Sequence, residues 1–370
     1  MIRDYMGIIN VCESESDIRS LTTNRPIASI PFGSRYRVID FILSNMVNAG
    51  IRNVGIFAES KSRSLVDHVG TGKPWDLNRK IEGIYMFHQS LTGIMSNDSK
   101  MFRNNMEYIY KSRSENVVLA SSYMINNMDL NEAVKHSEES GADITVVYKS
   151  VSNADKDFMN CTTLNIEEGK IVGVSKNIGI AKKANICAEI FIMKKEIMID
   201  LLYRNLRAGN DMSFNSTIYN NIKRYNITGY EFTGYMACIN SIHSYYKANM
   251  EMLNQKITNE LFFKHGNIHT KIKDEPPTRY MNGSGVNNCL IADGCTIEGK
   301  VNDSILARYV KIEKGAEIKN CIILQNCRIC AGAKLSNVIL DKNNIIDKNM
   351  ELKGSSEFPL VIEKRSTVNV

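Results

Sequence analysis

A repeat of six residues in the last quarter of the chain constrains its fold more than any other feature. Aliphatic side chains recur at every sixth position, each with a small residue four positions further on. The repeat runs through residues 291–299, 312–321 and 324–335. In a parallel β-helix the aliphatic side chain points inward and the small residue keeps the corner tight. The period therefore predicts a parallel β-helix and argues against a β-sandwich.

The first two-thirds of the chain alternate strand and helix patterns. Strands are predicted at residues 53–58, 117–120 and 143–148. Helices are predicted at residues 37–49, 61–69, 130–140 and 242–264, from apolar periodicity, the capping residue Asp129 and the terminating glycines Gly50, Gly70 and Gly141. Repeated strand–helix–strand units favour a mixed, mostly parallel sheet with helices on both faces. This part of the chain is therefore predicted to be an α/β domain.

A proline-rich segment separates the two patterns. Residues 274–278 read Asp-Glu-Pro-Pro-Thr, and such a stretch interrupts regular structure. We therefore predict an α/β domain over residues 1–273, a linker over 274–285 and a β-helix domain over 286–370.

Composition narrows the classes of function. The formal net charge of +6 is spread along the chain, and no basic arm or aromatic–basic motif favours nucleic acid. The sequence has no run of about 18 apolar residues, so we predict no membrane span. We also recognise no signal peptide, so we do not expect export. Nine cysteines are scattered, and the Cys327–Cys330 spacing lacks the second pair or histidine that a zinc site needs. We expect mostly buried free cysteines and a cytoplasmic protein.

Several motifs carry a resemblance to a known family. Residues 31–33 (Pro-Phe-Gly), 35–45 (Arg-Tyr-Arg-Val-Ile-Asp-Phe-Ile-Leu-Ser-Asn), 48–51 (Asn-Ala-Gly-Ile) and 244–250 (Ser-Tyr-Tyr-Lys-Ala-Asn-Met) resemble the ADP-glucose pyrophosphorylase (glucose-1-phosphate adenylyltransferase) family. Residues 70–77 (Gly-Thr-Gly-Lys-Pro-Trp-Asp-Leu) are similar to its second, GlgD-type subunit. Without the family, this stretch is either a phosphate-holding turn or a surface turn. The resemblance implies a Rossmann-like nucleotidyltransferase domain, then a left-handed parallel β-helix, and a role in glycogen biosynthesis.

The family's reaction joins ATP and glucose 1-phosphate into ADP-glucose and releases pyrophosphate. Such chemistry needs backbone donors, cations and Mg²⁺ around the phosphates. Aligned on the family, its Gly-Gly-x-Gly-x-Arg loop falls on residues 12–17, which we call the acidic loop. Cys12, Glu13, Glu15 and Asp17 replace its glycines and arginine. Each carboxylate about 4 Å from a phosphate oxygen would cost on the order of 4 kcal/mol.

Three further positions have lost the polar groups that the resemblance implies. Ile27 stands where the family has a lysine, and Ser122 and Cys238 stand where it has two metal-binding aspartates. Serine and cysteine cannot replace two hard anionic oxygen ligands of Mg²⁺. We therefore predict no catalytic residue, metal or cofactor on this chain, and we expect Mg²⁺ only in a catalytic partner.

Basic residues near the Pro-Phe-Gly turn are candidates for binding a phosphorylated effector, as the resemblance implies. They are Arg25, Arg35 and Arg37, and arginine suits phosphate geometrically. Salt bridges or capped carbonyls are the alternative. Lys176 lies near the family's sugar-phosphate lysine but lacks its Glu-Lys-Pro context. It is either a vestige of that site or a surface lysine.

The favoured hypothesis is a catalytically deficient regulatory subunit. It would join a catalytic ADP-glucose pyrophosphorylase subunit in a hetero-oligomer, expected to be a tetramer, with self-association left open. The alternative is an active sugar-1-phosphate nucleotidyltransferase with a rebuilt metal and phosphate site, for which Asp40, Asp67 and Asp76 are candidates. An acyltransferase would need a histidine in the β-helix, and none follows residue 269. A glycan-binding module has no supporting aromatic cluster.

Overall fold

The computed structural model describes residues 2, 4–59, 61–88, 98–207 and 212–368. The chain folds into two compact units, each built from segments that are distant in sequence. The first contains Met1–Glu13, Ile39–Cys238 and Leu261–His269, and the second contains Ser14–Val38, Ile239–Glu260 and Thr270–Val370.

The α/β part of the chain has thirteen described strands and ten described helices. The strands are β1 (Tyr5–Val11), β2 (Pro31–Phe32), β3 (Tyr36–Arg37), β4 (Asn53–Ala58), β5 (Gly83–His88), β6 (Asn116–Ser121), β7 (Met124–Asn126), β8 (Ile144–Val151), β9 (Thr162–Glu167), β10 (Lys170–Lys176), β11 (Ala184–Lys194), β12 (Ile227–Glu231) and β13 (Met236–Cys238). The helices are α1 (Arg19–Thr22), α2 (Val38–Ala49), α3 (Arg63–Val69), α4 (Asp98–Asn104), α5 (Met106–Lys111), α6 (Leu130–Ser140), α7 (Lys195–Arg207), α8 (Phe214–Asn220), α9 (Ile242–Glu251) and α10 (Gln255–Phe263).

A mixed sheet of nine strands is the core of the first unit. Its order is β5–β4–β1–β6–β11–β8–β12–β10–β9. β5, β4, β1 and β6 run parallel, whereas β11 is antiparallel to β6 and β8. All seven residues of β1 are buried, as in a central strand covered on both faces. The residues that follow β1 and β6 therefore meet at one edge of the sheet.

Helix limits follow the capping residues that the sequence predicts. Asp129 Oδ1 accepts a hydrogen bond from the backbone N–H of Asn131 at 2.9 Å at the start of α6. Gly141 ends that helix with a φ of 59°, a left-handed conformation that glycine adopts without a Cβ clash. The predicted helices 37–49, 61–69 and 130–140 are confirmed as α2, α3 and α6.

The single helix predicted over residues 242–264 is wrong, because the structure has two helices there, α9 and α10. The Asn254 side chain accepts a hydrogen bond from the backbone N–H of Lys256 at 3.0 Å. Asparagine side chains compete for backbone donors and therefore favour helix starts over helix interiors. Apolar residues continue through the break, so periodicity alone did not reveal it.

The β-helix lies in the second unit, and its strands are two or three residues long. In chain order they are β14 (Arg279–Tyr280), β15 (Gly285–Asn287), β16 (Leu290–Ile291), β17 (Thr296–Ile297), β18 (Lys300–Asn302), β19 (Ile305–Leu306), β20 (Lys311–Ile312), β21 (Glu317–Lys319), β22 (Ile322–Ile323), β23 (Arg328–Ile329), β24 (Lys334–Ser336), β25 (Val338–Leu340), β26 (Ile345–Ile346), β27 (Glu351–Lys353), β28 (Leu360–Ile362) and β29 (Thr367–Val368).

These strands form three parallel sheets, as the six-residue repeat predicts. Sheet I contains β14, β17, β20, β23, β26 and β29, sheet II contains β15, β18, β21, β24 and β27, and sheet III contains β16, β19, β22, β25 and β28. The repeat residues Ile297, Ile312, Ile318 and Ile329 are buried in one apolar core. This confirms the left-handed parallel β-helix. β14 begins within the predicted linker, and the predicted domain limits themselves stay a prediction.

The nine cysteines are all free. Seven are buried, and Cys12 and Cys289 are half-buried. Within the described ranges, no helix has both the length and the apolar character that crossing a membrane requires.

Candidate functional site

The acidic loop begins at the carboxyl end of β1, in the first unit. Its Glu13 carboxylate accepts two hydrogen bonds from Ser122, one from the backbone N–H and one from the hydroxyl, both at 2.7 Å. Ser122 directly follows β6 and is fully buried. Two residues that we predict to replace parts of the family's phosphate loop and metal site thus hydrogen-bond to each other. The Glu13 carboxylate occupies two donors at this edge of the sheet.

Further acidic groups surround the start of the loop. Burial is the main cause that raises the pKa of the Cys12 thiol well above its usual range. The nearby carboxylates of Glu59, Glu13 and Asp98 raise this pKa further. Asp98 is buried and accepts hydrogen bonds from Asn10 Nδ2 at 2.8 Å and from the backbone N–H of Phe214 at 2.9 Å. Its pKa is raised by burial. The potential at this edge therefore disfavours a polyphosphate.

Glu189 is a buried carboxyl that the sequence analysis missed. It lies in β11 with a φ of 56°, at an irregularity in the pairing with β8. Asn215 Nδ2 donates a hydrogen bond to it, and burial raises its pKa to about 7. The available signal was a single acidic residue within an otherwise apolar strand.

The positions of the family's metal ligands do not fit Mg²⁺. Ser122 is buried and engaged by Glu13, and Cys238 is buried at the end of β13. Neither offers the hard anionic oxygen that Mg²⁺ prefers. Across the described ranges, no three histidine, cysteine, aspartate or glutamate side chains converge as a metal site would require.

The aspartates of the alternative rebuilt site lie in different surroundings. Asp40 is buried, and its Oδ1 lies 2.5 Å from His68 Nε2. Asp67 is exposed on α3, and the exposed Asp76 pairs with Arg79. The turn before Asp76 is anchored by Trp75, which is 2% exposed. The motif 70–77 therefore carries a buried aromatic anchor.

The remaining loop positions belong to the second unit. Glu15 is half-buried and precedes a 3₁₀ helix over Ser16–Ile18, and Asp17 is exposed within that helix. Ile27 starts a second 3₁₀ helix, Ile27–Ser29, and is 1% exposed. An apolar side chain thus fills the position of the family's lysine.

Two of the three candidate effector arginines, Arg25 and Arg37, lie close enough to Lys342 of the β-helix to shift its pKa. Arg25 Nη2 donates to Asp341 Oδ2 at 2.8 Å, and both side chains are buried. The Arg25 Nε–H is buried without a partner. Burial first, and then Arg37 and Arg25, lower the pKa of Lys342 to about 7, and Lys364 adds to this effect. We call Arg25, Arg37, Lys342 and Lys364 the basic cluster.

The basic cluster brings four basic side chains close to one another, with the Asp341 carboxylate beside them. Asp341 is the one acid among the groups that shift the Lys342 pKa, and Arg25 and the backbone N–H of Lys342 already engage it. Burial first and then neighbouring cations disfavour the charged form of this lysine, and an anion beside these cations would be stabilised. Lys342 and Lys364 were missed in the sequence, where they read as exposed residues of the repeat.

The motif residues of α9 hold the Pro-Phe-Gly turn in place. Tyr245 Oη donates to the backbone carbonyl of Pro31 at 2.8 Å, and the backbone N–H of Gly33 donates to Asn249 Oδ1 at 3.0 Å. Arg35 is exposed, with its guanidinium carbon 5.5 Å from the centre of the Tyr36 ring. Its role as an effector ligand stays a prediction.

Lys176, the candidate sugar-phosphate lysine, is exposed at the end of β10. In the strand register, Lys176 lies opposite Thr162 on β9. The Thr162 side chain hydrogen-bonds to Glu189. Its role as a vestige of a sugar-phosphate site also stays a prediction.

Comparison with known proteins agrees with this architecture. The nucleotidyl transferase family matches residues 16–158, and the GlmU-like C-terminal hexapeptide family matches residues 276–356. The chain is 34% identical to the glycogen biosynthesis protein GlgD of Bacillus subtilis (strain 168), over 97% of this chain and 95% of that protein. It is 33% identical to GlgD of Geobacillus stearothermophilus, over 98% and 97%.

Catalytic relatives are also similar. Glucose-1-phosphate adenylyltransferase of Thermosipho africanus (strain TCF52B) is 30% identical, over 79% of this chain and 72% of that enzyme. The chain thus has a nucleotidyltransferase domain followed by hexapeptide repeats, and it belongs to the GlgD family of glycogen biosynthesis proteins, which is related to glucose-1-phosphate adenylyltransferase.

Proposed function

We propose that this chain is a catalytically deficient regulatory subunit in cytoplasmic glycogen biosynthesis. It would assemble with a catalytic glucose-1-phosphate adenylyltransferase subunit in a hetero-oligomer, and Mg²⁺ would be bound by that partner. The catalytic subunit would convert ATP and glucose 1-phosphate to ADP-glucose and pyrophosphate. This chain would change its activity through contacts that differ between two conformations of the assembly.

The Glu13–Ser122 pair is the observation that carries the proposal. The Glu13 carboxylate accepts both Ser122 donors at 2.7 Å, so the sheet edge presents negative charge where the reaction needs donors for phosphate. A carboxylate and two anionic reactants repel each other in a partly buried site. Stabilisation of developing charge by fixed donors is usually the largest contribution to such catalysis, and here those donors are occupied.

The direct test is an assay of the full chain with and without a catalytic subunit. With ATP, Mg²⁺ and glucose 1-phosphate, we expect no ADP-glucose from this chain alone. On mixing with a glucose-1-phosphate adenylyltransferase, we expect a complex by light scattering and a changed rate or effector response. Robust turnover by the chain alone would favour the active, rebuilt enzyme, and an unchanged partner would remove the regulatory role.

We also propose that the basic cluster binds the phosphate group of a small effector. Arg25 is held by Asp341 at 2.8 Å and keeps a buried Nε–H without an acceptor. Arg37 and Lys342 add charge from segments far apart in the chain. Cations that repel one another in this way are relieved by a dianion, which accepts hydrogen bonds from several of them.

Calorimetry with inorganic phosphate and sulfate tests this anion site. Lys342→Gln and Arg37→Gln should each weaken binding by about tenfold or more, in line with the loss of a charge-assisted hydrogen bond. Lys314→Gln, an exposed lysine on the same β-helix, is the matched control and should bind as the unmodified chain does. Equal binding by all variants would contradict the assignment.

A further inference from the structure

The three faces of the β-helix differ in character. The outward residues of sheet III, Ile305, Ile322 and Ile339, are at most 1% exposed, so that face is covered. On sheet I, Arg328 Nη2 pairs with Glu313 Oε1 on the neighbouring coil at 2.6 Å. On sheet II, exposed charged side chains of both signs lie in strand register on successive coils.

Strand register places four charges of alternating sign in one column of sheet II. In the strand register, Lys300 lies opposite Glu317, Glu317 lies opposite Lys334, and Lys334 lies opposite Glu351. Successive coils lie about 4.8 Å apart, so the charges follow one another up the face as plus, minus, plus, minus. All four residues are exposed. A second column on the same strands contains Asn302, Lys319, Ser336 and Lys353. We call the two columns together the charged face.

The four charges of the column attract their in-register neighbours only weakly, because they form no ion pair with one another in the described structure. Among the residues that the structure describes, no ion pair or side-chain hydrogen bond engages Lys300, Glu317, Lys334 or Glu351. A groove of about 340 Å³ runs along this face, which leaves room for side chains of another molecule. The contrast with the Arg328–Glu313 pair on sheet I shows that this β-helix can form such pairs internally, and on sheet II it does not.

An even number of alternating charges is complementary to its own reversed copy. A twofold axis parallel to the strands brings a column opposite itself in reverse order. Lys300 then faces Glu351 of a second copy, and Glu317 faces Lys334, so four opposite-charge pairs form. In the neighbouring column, Lys353 faces Asn302 and Lys319 faces Ser336. No like charges meet, which is the condition for a self-complementary twofold interface.

We propose that the charged face binds the charged face of a second copy of this chain, with the order of the coils reversed. The occupant is fixed by the charge pattern, because a partner with a uniform charge would leave half of the column facing like charge. Exposed ion pairs are individually weak, so the association depends on the whole set and should weaken as salt increases. Such an interface would place two copies of this chain in one assembly.

Charge reversal in two separate variants tests the proposal. Lys300→Glu with Lys334→Glu makes the column wholly acidic, and Glu317→Lys with Glu351→Lys makes it wholly basic. In sedimentation of the full chain, the unmodified protein should form dimers, and each variant alone should dissociate at least about tenfold more readily. An equal mixture of the two variants should form dimers again, because acidic and basic columns then face each other.

A control with the same change of charge separates the face from net charge. Lys311→Glu with Lys348→Glu alters two exposed lysines outside sheet II and should dimerise as the unmodified chain does. A monomeric unmodified chain, dimerisation of the acidic variant alone, or a mixture that stays monomeric would overturn the proposal.

Cysteine cross-linking supplies a second measurement that does not depend on charge. In Lys300→Cys with Glu351→Cys, the two new thiols lie three coils apart in one chain, too far for a disulfide, but they face each other across the twofold axis. Oxidation should give a covalent dimer, and Lys300→Cys alone should not. No covalent dimer from the double variant would contradict the reversed pairing.

Discussion

At the scale of single residues, the acidic loop is held within the fold by hydrogen bonds. The acidic loop does not protrude as an unpaired negative segment, because Glu13 is bonded to Ser122. A buried acceptor without donors would cost free energy, and the serine supplies two. Glu13 and Ser122 thus stabilise each other locally, at positions where we predict that groups needed for phosphate transfer are missing.

Restoring the loop alone should not restore catalysis. We expect the variant Cys12→Gly, Glu13→Gly, Glu15→Gly and Asp17→Arg to bind MgATP more tightly, by about tenfold or more, since carboxylates are removed and a cation is added. It should still give no ADP-glucose, because Ser122 and Cys238 supply no carboxylate for Mg²⁺. Calorimetry and a product assay separate the two effects, and turnover from the loop change alone would contradict our placement of the metal ligands.

Glu189 should make stability depend on pH. Folding raises its pKa from 4.5 to about 7 by burial, so the folded state keeps a proton that the unfolded state loses between these pH values. Stability should therefore fall as pH rises through this window, by on the order of 3 kcal/mol in full. Below about pH 4.5 both states are protonated and the cost is absent.

Urea unfolding at pH 5 and pH 8 tests the role of Glu189. Glu189→Gln keeps an acceptor for Asn215 and removes the charge, so the fall in stability that Glu189 causes between pH 5 and pH 8 should be absent. It should be more stable than the unmodified chain at pH 8. The exposed Glu167→Gln is the control and should follow the unmodified chain. A Glu189→Gln variant with unchanged pH dependence would contradict the assignment.

At the scale of elements, the β-helix depends on close approach between coils. Its inward positions are aliphatic and its corners are tight. Asn320, Asn326, Asn337 and Asn343 occupy corners with φ between 52° and 62°, a conformation that asparagine tolerates better than other side chains that carry a Cβ. Each coil is therefore defined by the inward side chain and by the corner residue together, which is why a period of six residues was visible in the sequence.

Gly299 is a glycine of the β-helix at which the neighbouring coil leaves no room for a methyl group. A Cβ there would lie 2.4 Å from the backbone oxygen of Ala316 and 3.0 Å from that of Glu313. Backbone atoms of a neighbouring coil cannot move aside readily, so Gly299→Ala should lower the free energy of unfolding by about 1–3 kcal/mol.

Gly285→Ala is the matched control for Gly299→Ala in the same β-helix. The nearest atom to its Cβ is Lys300 Cγ at 3.7 Å, an ordinary van der Waals contact. We expect its urea midpoint to stay near that of the unmodified chain. Equal losses in both variants would show that the approach of the coils is not what requires glycine.

At the scale of the whole molecule, distant segments meet to form the basic cluster. Arg25 and Asp341 are 316 residues apart in sequence and 2.8 Å apart in space. The α9 motif holds the Pro-Phe-Gly turn through Tyr245 and Asn249. The second unit therefore combines an N-terminal segment, a helix and the β-helix around one set of cations.

Anion binding at the basic cluster should weaken as pH rises. The Lys342 pKa is lowered to about 7, so the side chain is charged below that pH and neutral above it. Sulfate stays a dianion throughout, and its affinity should fall by about tenfold between pH 6 and pH 8 if the charged lysine is the binding form. Calorimetry in matched ionic strength measures this.

An arginine at position 342 separates this titration from other effects of pH. Lys342→Arg stays charged across the range and should bind sulfate with little change between pH 6 and pH 8. Lys314→Arg, at an exposed position, should keep the pH dependence of the unmodified chain. A Lys342→Arg variant that loses affinity with pH as the unmodified chain does would rule out Lys342 as the titrating group.

The sequence by itself determined the β-helix and most elements of the α/β part. It also predicts that Ile27, Ser122, Cys238 and the acidic loop lack the family's lysine, metal aspartates and glycines, and that remains a prediction. These properties depend on local period, caps and residue identity. The break at Asn254 was missed because side-chain capping interrupted a continuous apolar pattern.

Only the tertiary structure decided how these residues are partnered. Glu13 reaches Ser122 across 109 residues of sequence, Lys342 joins Arg25 and Arg37, and Glu189 becomes buried at an irregular point of β11. The charge column of sheet II likewise exists only in the register of stacked coils. Hydrogen bonds, burial and electrostatic effects depend on distance in space, and a sequence fixes that distance only between neighbours within one element.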